Sequence, residues 1–334
     1  MADVRWRDGE TGRSVFLREG LLAETPALLA HEGWDPYELL TTERARGKSP
    51  ALVDGAGRVH LIPQGQVPDV AAAVIDDVGS DRLVAFGGGR VIDAAKAIAA
   101  VRGGAVAAIP TTLSGAEMTA IHRLPAGHEG IAGVRPALVI ADPAPMTSLP
   151  EPQLRATALN ALAHGADCLY TPLADELSRS AALAGAHRIA RELDAGPDRR
   201  SRSELAFGAI LCGQAIDAAG LAIHHVISQS TVRVCDTPHA ETNAALLPVV
   251  MDEMRSRAPE QIERLAAALD CEPEEIRARI EALGGGRRGL SELGASDDCR
   301  EPLIETALAR PELEAMTPGE VTRADVERIL AEAW

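Results

Sequence analysis

An α/β unit built on a mainly parallel sheet, followed by an all-helical unit, is the fold that this chain predicts. Three observations carry it. Short apolar, β-rich runs alternate with Ala-rich helical stretches over residues 1–150. The strand signal stops near Pro150, and long amphipathic helical patterns fill residues 151–334. With 334 residues, 46% of them hydrophobic, the chain is long enough for two cores.

In the first part, strands are expected at R-S-V-F-L, Y-E-L-L-T-T, V-H-L-I-P, R-L-V-A-F, A-V-A-A-I-P and A-L-V-I-A-D. Helices are expected at V-P-D-V-A-A-A-V-I-D-D-V and V-I-D-A-A-K-A-I-A-A. Strands that are apolar on both faces belong to a sheet covered on both sides. In the second part, D-E-L-S-R-S-A-A-L-A-G-A-H-R-I-A-R-E-L, A-P-E-Q-I-E-R-L-A-A-A-L and T-R-A-D-V-E-R-I-L-A-E-A read as helices, with a loop at Gly284, Gly285 and Gly286. A cleft between the two parts is the expected place for a site.

A net charge of −16 argues against a nucleic-acid partner, which needs a basic face. The apolar runs are short and interrupted, so no membrane span is expected, and the N-terminal M-A-D-V-R-W-R-D-G-E has no apolar signal core. Five cysteines (Cys168, Cys212, Cys235, Cys271, Cys299) are scattered without C-x-x-C spacing, which predicts reduced thiols in a cytoplasmic protein. Only Lys48 and Lys96 represent lysine; every other long cation is Arg.

R-L-V-A-F-G-G-G-R-V-I-D-A-A-K runs from strand through a glycine turn into a helix. Gly87, Gly88 and Gly89 are expected to adopt positive φ and to let the backbone approach a pyrophosphate at the helix N-terminus near Arg90. Asp93 and Lys96 lie one helical turn apart; the plain alternative for them is a solvated ion pair. The spacing resembles the G-G-G-S-x-x-D-x-x-K signature of iron-containing alcohol dehydrogenases, within the dehydroquinate-synthase-like superfamily. Arg90 replaces the Ser, as in the glycerol-1-phosphate dehydrogenase branch, and is expected to touch phosphate. I-P-T-T-L-S-G-A-E-M-T resembles the P-T-T-x-x-G-S-E-M-T stretch of maleylacetate reductases, with Ala116 for Ser. The resemblance implies that Thr111 and Thr112 contact a nicotinamide dinucleotide, NAD or NADP. Many NAD-preferring relatives carry Asp near Thr42. Without it, Arg44, Arg46 and Lys48 are the candidates to receive a 2′-phosphate, which would let NADP be tolerated; the plain alternative, and the favoured one, is a solvated loop.

Asn160 and His164 are four residues apart in A-L-N-A-L-A-H-G, which puts them on one helix face. His225 in I-H-H-V and His239 in T-P-H-A-E-T come from later segments. Three imidazoles are able to hold a divalent metal, Fe or Zn, with an open position for substrate. Metal-dependent members of the resembled family carry D-A-L-x-H where this chain has N-A-L-A-H. Maleylacetate reductases carry N-A-x-A-H and are not generally regarded as metal enzymes. The segment from Gly220 to P-H-A-E-T is similar to the family's G-x-x-x-x-H-x-x-x-H and P-H-G stretch. It assigns His225 and His239 to ligand positions and puts Gln229 where the family has a second His. Gln cannot titrate, so it orients substrate rather than moving a proton. His224 is expected to pack.

The resemblance spans about residue 13 to the end and is strongest over 84–119 and 156–248. It implies an NAD(P)-dependent oxidoreductase that interconverts an alcohol and a carbonyl by direct hydride transfer. Its catalytic residues would be His164, His225, His239 and Gln229, and its expected assembly a homodimer. Maleylacetate itself is disfavoured, because the cationic His-His-Lys stretch of those reductases is Gly220, Leu221 and Ala222 here. Shortened relatives serve as tailoring dehydrogenases in ribosomal peptide pathways of the daptide type, so a peptide joins a small molecule as an expected substrate. The competing expectation is a non-catalytic nucleotide-binding partner of a biosynthetic complex, favoured by Asn160, Ala116 and Gln229 and opposed by the glycine turn and the three His. A lyase-type cyclase like dehydroquinate synthase would need more cations than Arg90 supplies.

Overall fold

The computed structural model describes residues 4–7, 9 and 12–334; the N-terminal stretch read for a leader lies partly outside them. The chain divides into two compact units, Met1–Leu149 and Pro150–Trp334.

The first unit holds strands β1 (Val4–Arg7), β2 (Ser14–Leu17), β3 (Glu38–Thr41), β4 (Arg58–Leu61), β5 (Arg82–Gly87), β6 (Ala105–Pro110) and β7 (Leu138–Ala141). Its helices are α1 (Leu21–His31), α2 (Glu43–Arg46), α3 (Pro50–Asp54), α4 (Val67–Ala72), α5 (Gly89–Arg102) and α6 (Pro143–Met146). The strand order is β1-β2-β7-β6-β5-β3-β4. Every pairing is parallel except β1 with β2. All six expected strands are present within a residue or two; β1, the antiparallel edge, is an addition. Successive residues alternate faces: Leu39, Val84 and Phe86 enter one apolar cluster, Leu40 and Ala85 the other. Both faces are therefore covered. The helix expected over residues 67–78 ends at Ala72 and is followed by a 3₁₀ turn, Ile75–Asp77.

The second unit contains helices α7 (Glu151–Tyr170), α8 (Glu176–Ala195), α9 (Arg202–Ala219), α10 (Ile223–Cys235), α11 (His239–Arg257), α12 (Pro259–Ala268), α13 (Ile276–Gly284), α14 (Arg300–Leu308), α15 (Pro311–Met316) and α16 (Arg323–Ala333). Among the described residues no strand lies in this unit. Gly284 ends α13 and Gly285, at φ 88°, caps it, as the Gly run predicts. No single helix is long and apolar enough to cross a membrane. The cysteine expectation needs correction. Cys235 and Cys299 form a disulfide with Cα atoms 5.6 Å apart. It ties the end of α10 to the segment before α14. Cys168, Cys212 and Cys271 are free.

Helices α7, α8 and α9 meet on small residues. A Cβ at Gly185 would lie 2.6 Å from Cys212 Sγ and 2.8 Å from the Gly208 carbonyl. In an open helix Gly→Ala gains roughly 0.5–1 kcal/mol from helix propensity. Here overpacking, at about 1–3 kcal/mol, decides the sign. Gly185→Ala is expected to lower the denaturation midpoint, and a raised midpoint in urea would contradict this packing.

Candidate active site

The glycine turn is the first element. β5 ends at Gly87, Gly88 caps α5, and α5 begins at Gly89. None of the three glycines has positive φ, contrary to expectation. They are needed for space instead. A Cβ on Gly87 would lie 2.6 Å from Val91, one on Gly88 3.0 Å from Thr112, and one on Gly89 3.1 Å from Ser114 Oγ. The turn is thus pressed against the Thr111–Ser114 loop. Arg90 Nε and Thr112 Oγ1 are buried and lack hydrogen-bond partners within the protein. Orphaned donors beside a free helix N-terminus fit a dinucleotide phosphate.

Lys96 does something else. Its ammonium is fully buried and donates to the carbonyls of Ala116 (3.0 Å), Thr119 (3.1 Å) and Ile121 (2.8 Å), and pairs with Asp93 at 2.7 Å. It is therefore neither a solvated partner of Asp93 nor placed to reach a ligand; it locks α5 to the 116–121 segment. Thr42 caps α2, accepting from Ala45 N–H at 3.2 Å. Thr41 is buried and donates to the Phe86 carbonyl at 2.8 Å. Lys48 donates to Ser148 Oγ at 2.6 Å. Exposed Arg44 stays close enough to depress the Lys48 pKa, after burial itself.

Glu117 lies in the same segment, fully buried, with neither carboxyl oxygen hydrogen-bonded. Burial lifts its pKa from 4.5 to about 7, against the opposing pull of its own backbone N–H and of Lys96. The folded state then holds a proton that the unfolded state has lost across the window from 4.5 to 7. Stability falls as pH rises through that window and levels off above it, by roughly 3 kcal/mol. In Glu117→Gln this fall is expected to vanish. Parallel urea titrations at pH 5 and 8 check it; an equal pH response in both proteins would contradict it.

The second element is a buried imidazole cluster on α7 and α10. Asp167, one turn after His164 on α7, organises it. Its Oδ2 accepts from His225 Nδ1 at 2.7 Å and from the backbone N–H groups of Ala222 (3.1 Å) and His225 (3.2 Å). Its other oxygen accepts from the Tyr170 hydroxyl. Burial alone would raise the Asp167 pKa; the bond to His225 and the nearby imidazoles outweigh it and hold the carboxyl at about 2. The ionised carboxylate accepts only, so Nδ1 of His225 carries a proton, and in the neutral ring Nε2 is the nitrogen with the lone pair. That Nε2 is buried and has no partner within the protein.

His164 stacks on His225 with ring centroids 4.7 Å apart and planes 13° from parallel. Its Nδ1 is also buried without a partner, and burial, then His225 and His239, push its pKa well down. Asn160 is buried one turn earlier on α7. His239 is exposed at the start of α11, within electrostatic reach of His164. His224 donates from Nε2 to the Asn243 carbonyl at 3.0 Å, and burial holds its pKa at about 4. Asp167, His224 and His225 place three ligand-type atoms within 4.8 Å of one another. Those atoms are committed to each other and to backbone, so this trio is a support for His225. A carboxylate behind an imidazole is the usual backing for a metal-ligating His. His164 Nδ1 and His225 Nε2, buried without partners, have the right chemistry for a divalent metal, and His239 is a third imidazole near His164. In-plane lone pairs of two near-parallel rings run side by side, so one ion cannot take both His164 and His225 as they stack.

Gln229 is one turn beyond His225 on α10, and its Oε1 accepts from Arg310 Nη1 at 3.2 Å. Asp167 and Arg310 were not singled out in the sequence. Asp167→Ala strips the carboxylate from four donors and is expected to destabilise the fold by about 3 kcal/mol in urea titrations. A loss below about 1 kcal/mol would show that Asp167 does not organise α10.

Residues 15–143 match the family described as iron-containing alcohol dehydrogenase, and residues 155–334 match the Fe-containing alcohol dehydrogenase family, C-terminal. The chain is 32% identical to maleylacetate reductase 1 of Rhodococcus opacus over 80% of this chain and 77% of that protein. It is 30% identical to the maleylacetate reductase of Sphingobium indicum, over 96% of this chain and 94% of that protein. The maleylacetate reductase structure from Agrobacterium tumefaciens superposes with a TM-score of 0.84 at 26% identity, covering 96% of this chain and 95% of that one. An iron-containing alcohol dehydrogenase from Corynebacterium glutamicum gives 0.84 at 29% identity, covering 96% and 94%. A family of oxidoreductases that use a nicotinamide dinucleotide and a metal thus accounts for both elements, the glycine turn and the imidazole cluster, and the chain belongs to the iron-containing alcohol dehydrogenase family.

Proposed function

We propose that this protein interconverts an alcohol and a carbonyl by hydride transfer, with His225 as general base. The observation that carries this reading is the orphaned Nε2 of His225, whose tautomer Asp167 dictates. In the oxidation direction, the substrate hydroxyl gives its proton to His225 Nε2 while its carbon loses hydride. Asp167 stabilises the resulting imidazolium, the role a carboxylate plays behind a catalytic His. A bound NAD or NADP accepts that hydride and returns it in the reverse direction. Arg90, Thr112 and the start of α5 hold its phosphates, and exposed Arg44 leaves room for the 2′-phosphate of NADP. A divalent metal, when bound, would polarise the substrate oxygen as a Lewis acid; His164, His239 and Asn160 would hold it, and His225 would join them only with its stack on His164 opened and its lone pair withdrawn from general-base work.

The turn Gly220–Ala222 offers no cation to a dicarboxylate. Leu173 borders Gly220, and Leu173 and Leu177 are 64% and 82% exposed. This apolar border favours an apolar or peptide-borne alcohol over maleylacetate, which agrees with a peptide-tailoring role of the daptide type.

NADH and NADPH titration followed by a panel of alcohols, aldehydes, ketones and hydroxyl-bearing peptides tests the reading. His225→Ala is expected to lower kcat at least a hundredfold, within the usual span for a lost general base, with cofactor Kd unchanged. Tight cofactor binding with no turnover across the panel would instead support a non-catalytic partner. Asn160→Asp restores an anion and is expected to raise the iron or zinc retained after dialysis at least tenfold. Equal metal content in both proteins would remove Asn160 from the ligand set.

A further inference from the structure

The least explained feature of the imidazole cluster is Gln229, a residue that cannot titrate. Its surroundings define what it can do. Arg310, just before α15, donates from Nε and Nη2 to the Glu312 carboxylate, both at 3.1 Å. That contact holds the Glu312 carboxyl below its usual pKa. The guanidinium is clamped in plane, and its remaining end, Nη1, donates to Gln229 Oε1. Arg has no acceptor, so the amide cannot be turned the other way: Oε1 must face Arg310. The NH2 end therefore faces away from Arg310 and makes no hydrogen bond to the described residues. Gln229 lies four residues after His225, on the same face of α10.

We propose that Gln229 is a fixed N–H donor to the substrate oxygen and that Arg310, itself held by Glu312, is the positioning residue that fixes it. This deepens the oxidoreductase reading and rests on it. On that face His225 Nε2 offers a lone pair and Gln229 offers donors. In carbonyl reduction the C=O electron pair moves onto oxygen as hydride arrives at carbon, and the Gln229 N–H stabilises that charge before a proton follows. The Glu312 partner neutralises Arg310, so the substrate side of the pair is a dipole rather than a cation. It suits a neutral carbonyl and gives no special advantage to a carboxylate.

Four variants test this: Q229E, Q229L, R310A and R310K. Q229E keeps a partner for Arg310 but replaces the donors with acceptors. Removing one donor to a developing oxyanion costs on the order of a hundredfold in kcat. Q229E and Q229L are expected to lose thirtyfold or more in kcat with little change in KM for cofactor and an unchanged Tm for Q229E. R310A and R310K, which both lose the planar fork on Glu312, are expected to lose about tenfold, and R310A/Q229E to be no slower than Q229E. A second readout avoids turnover: affinity for isobutyramide in the presence of NADH, a carbonyl that accepts a hydrogen bond but not hydride. It is expected to weaken at least tenfold in Q229E, R310A and R310K. No turnover in wild type with this discrimination retained would sink the oxidoreductase reading alone. Isobutyramide affinity that is absent in wild type, or equal in wild type and Q229E, overturns the donor assignment, as does a Q229E kcat within threefold of wild type.

Discussion

A single buried carboxylate, Asp167, organises the imidazole cluster of the helical unit. It caps the first turn of α10 through two backbone N–H groups, accepts from His225 Nδ1 and takes the Tyr170 hydroxyl. An ion buried this deeply is tolerated only when its lone pairs are satisfied, and four donors satisfy it. The consequence for chemistry follows from proton placement. An ionised Asp167 fixes the proton on His225 Nδ1, so the neutral ring presents Nε2 as a lone pair, and His164 stacks against that ring. Fold and reactivity therefore depend on the same atom.

In the α/β unit the controlling constraint at the glycine turn is space. The three glycines follow the familiar strand–turn–helix pattern, yet their φ values are ordinary. A Cβ at Gly87 would collide with Val91, while Thr112 and Ser114 press closely on Gly88 and Gly89. Lys96 sits behind that turn as a tie to the carbonyls of residues 116–121. Burial of Glu117 raises the pKa of its carboxyl, and the nearby Lys96 offsets that only in part. The turn is thus held rigidly enough to leave Arg90 and Thr112 with unmatched donors for a ligand.

Much of this was legible in the sequence because it is local. Continuous apolar runs such as A-L-V-I-A-D carry the parallel strands, and the Asn160–His164 spacing puts both on one face of α7. Strand β1 escaped because V-R-W-R is four residues long and is itself the edge of the sheet, paired on one side only. Asp167 escaped for a different reason. An Asp in an Ala-rich helix ordinarily reads as a solvated position, and its partner His225 is 58 residues away. The Gln229–Arg310 contact spans 81 residues and the Cys235–Cys299 bond 64. An odd, scattered set of cysteines gives no hint of a pair. The inward turn of Lys96 was hidden too, since only tertiary packing decides whether an Asp–Lys pair one turn apart faces water.

The central claim is that Asp167 sets the tautomer of His225. Nitrogen NMR of protein labelled at its nine histidines, assigned through single-His variants, reads this directly. The account predicts a protonated Nδ1 and a bare Nε2 on His225 in the neutral ring. A proton on Nε2, with the Nδ1 lone pair facing Asp167, would contradict it.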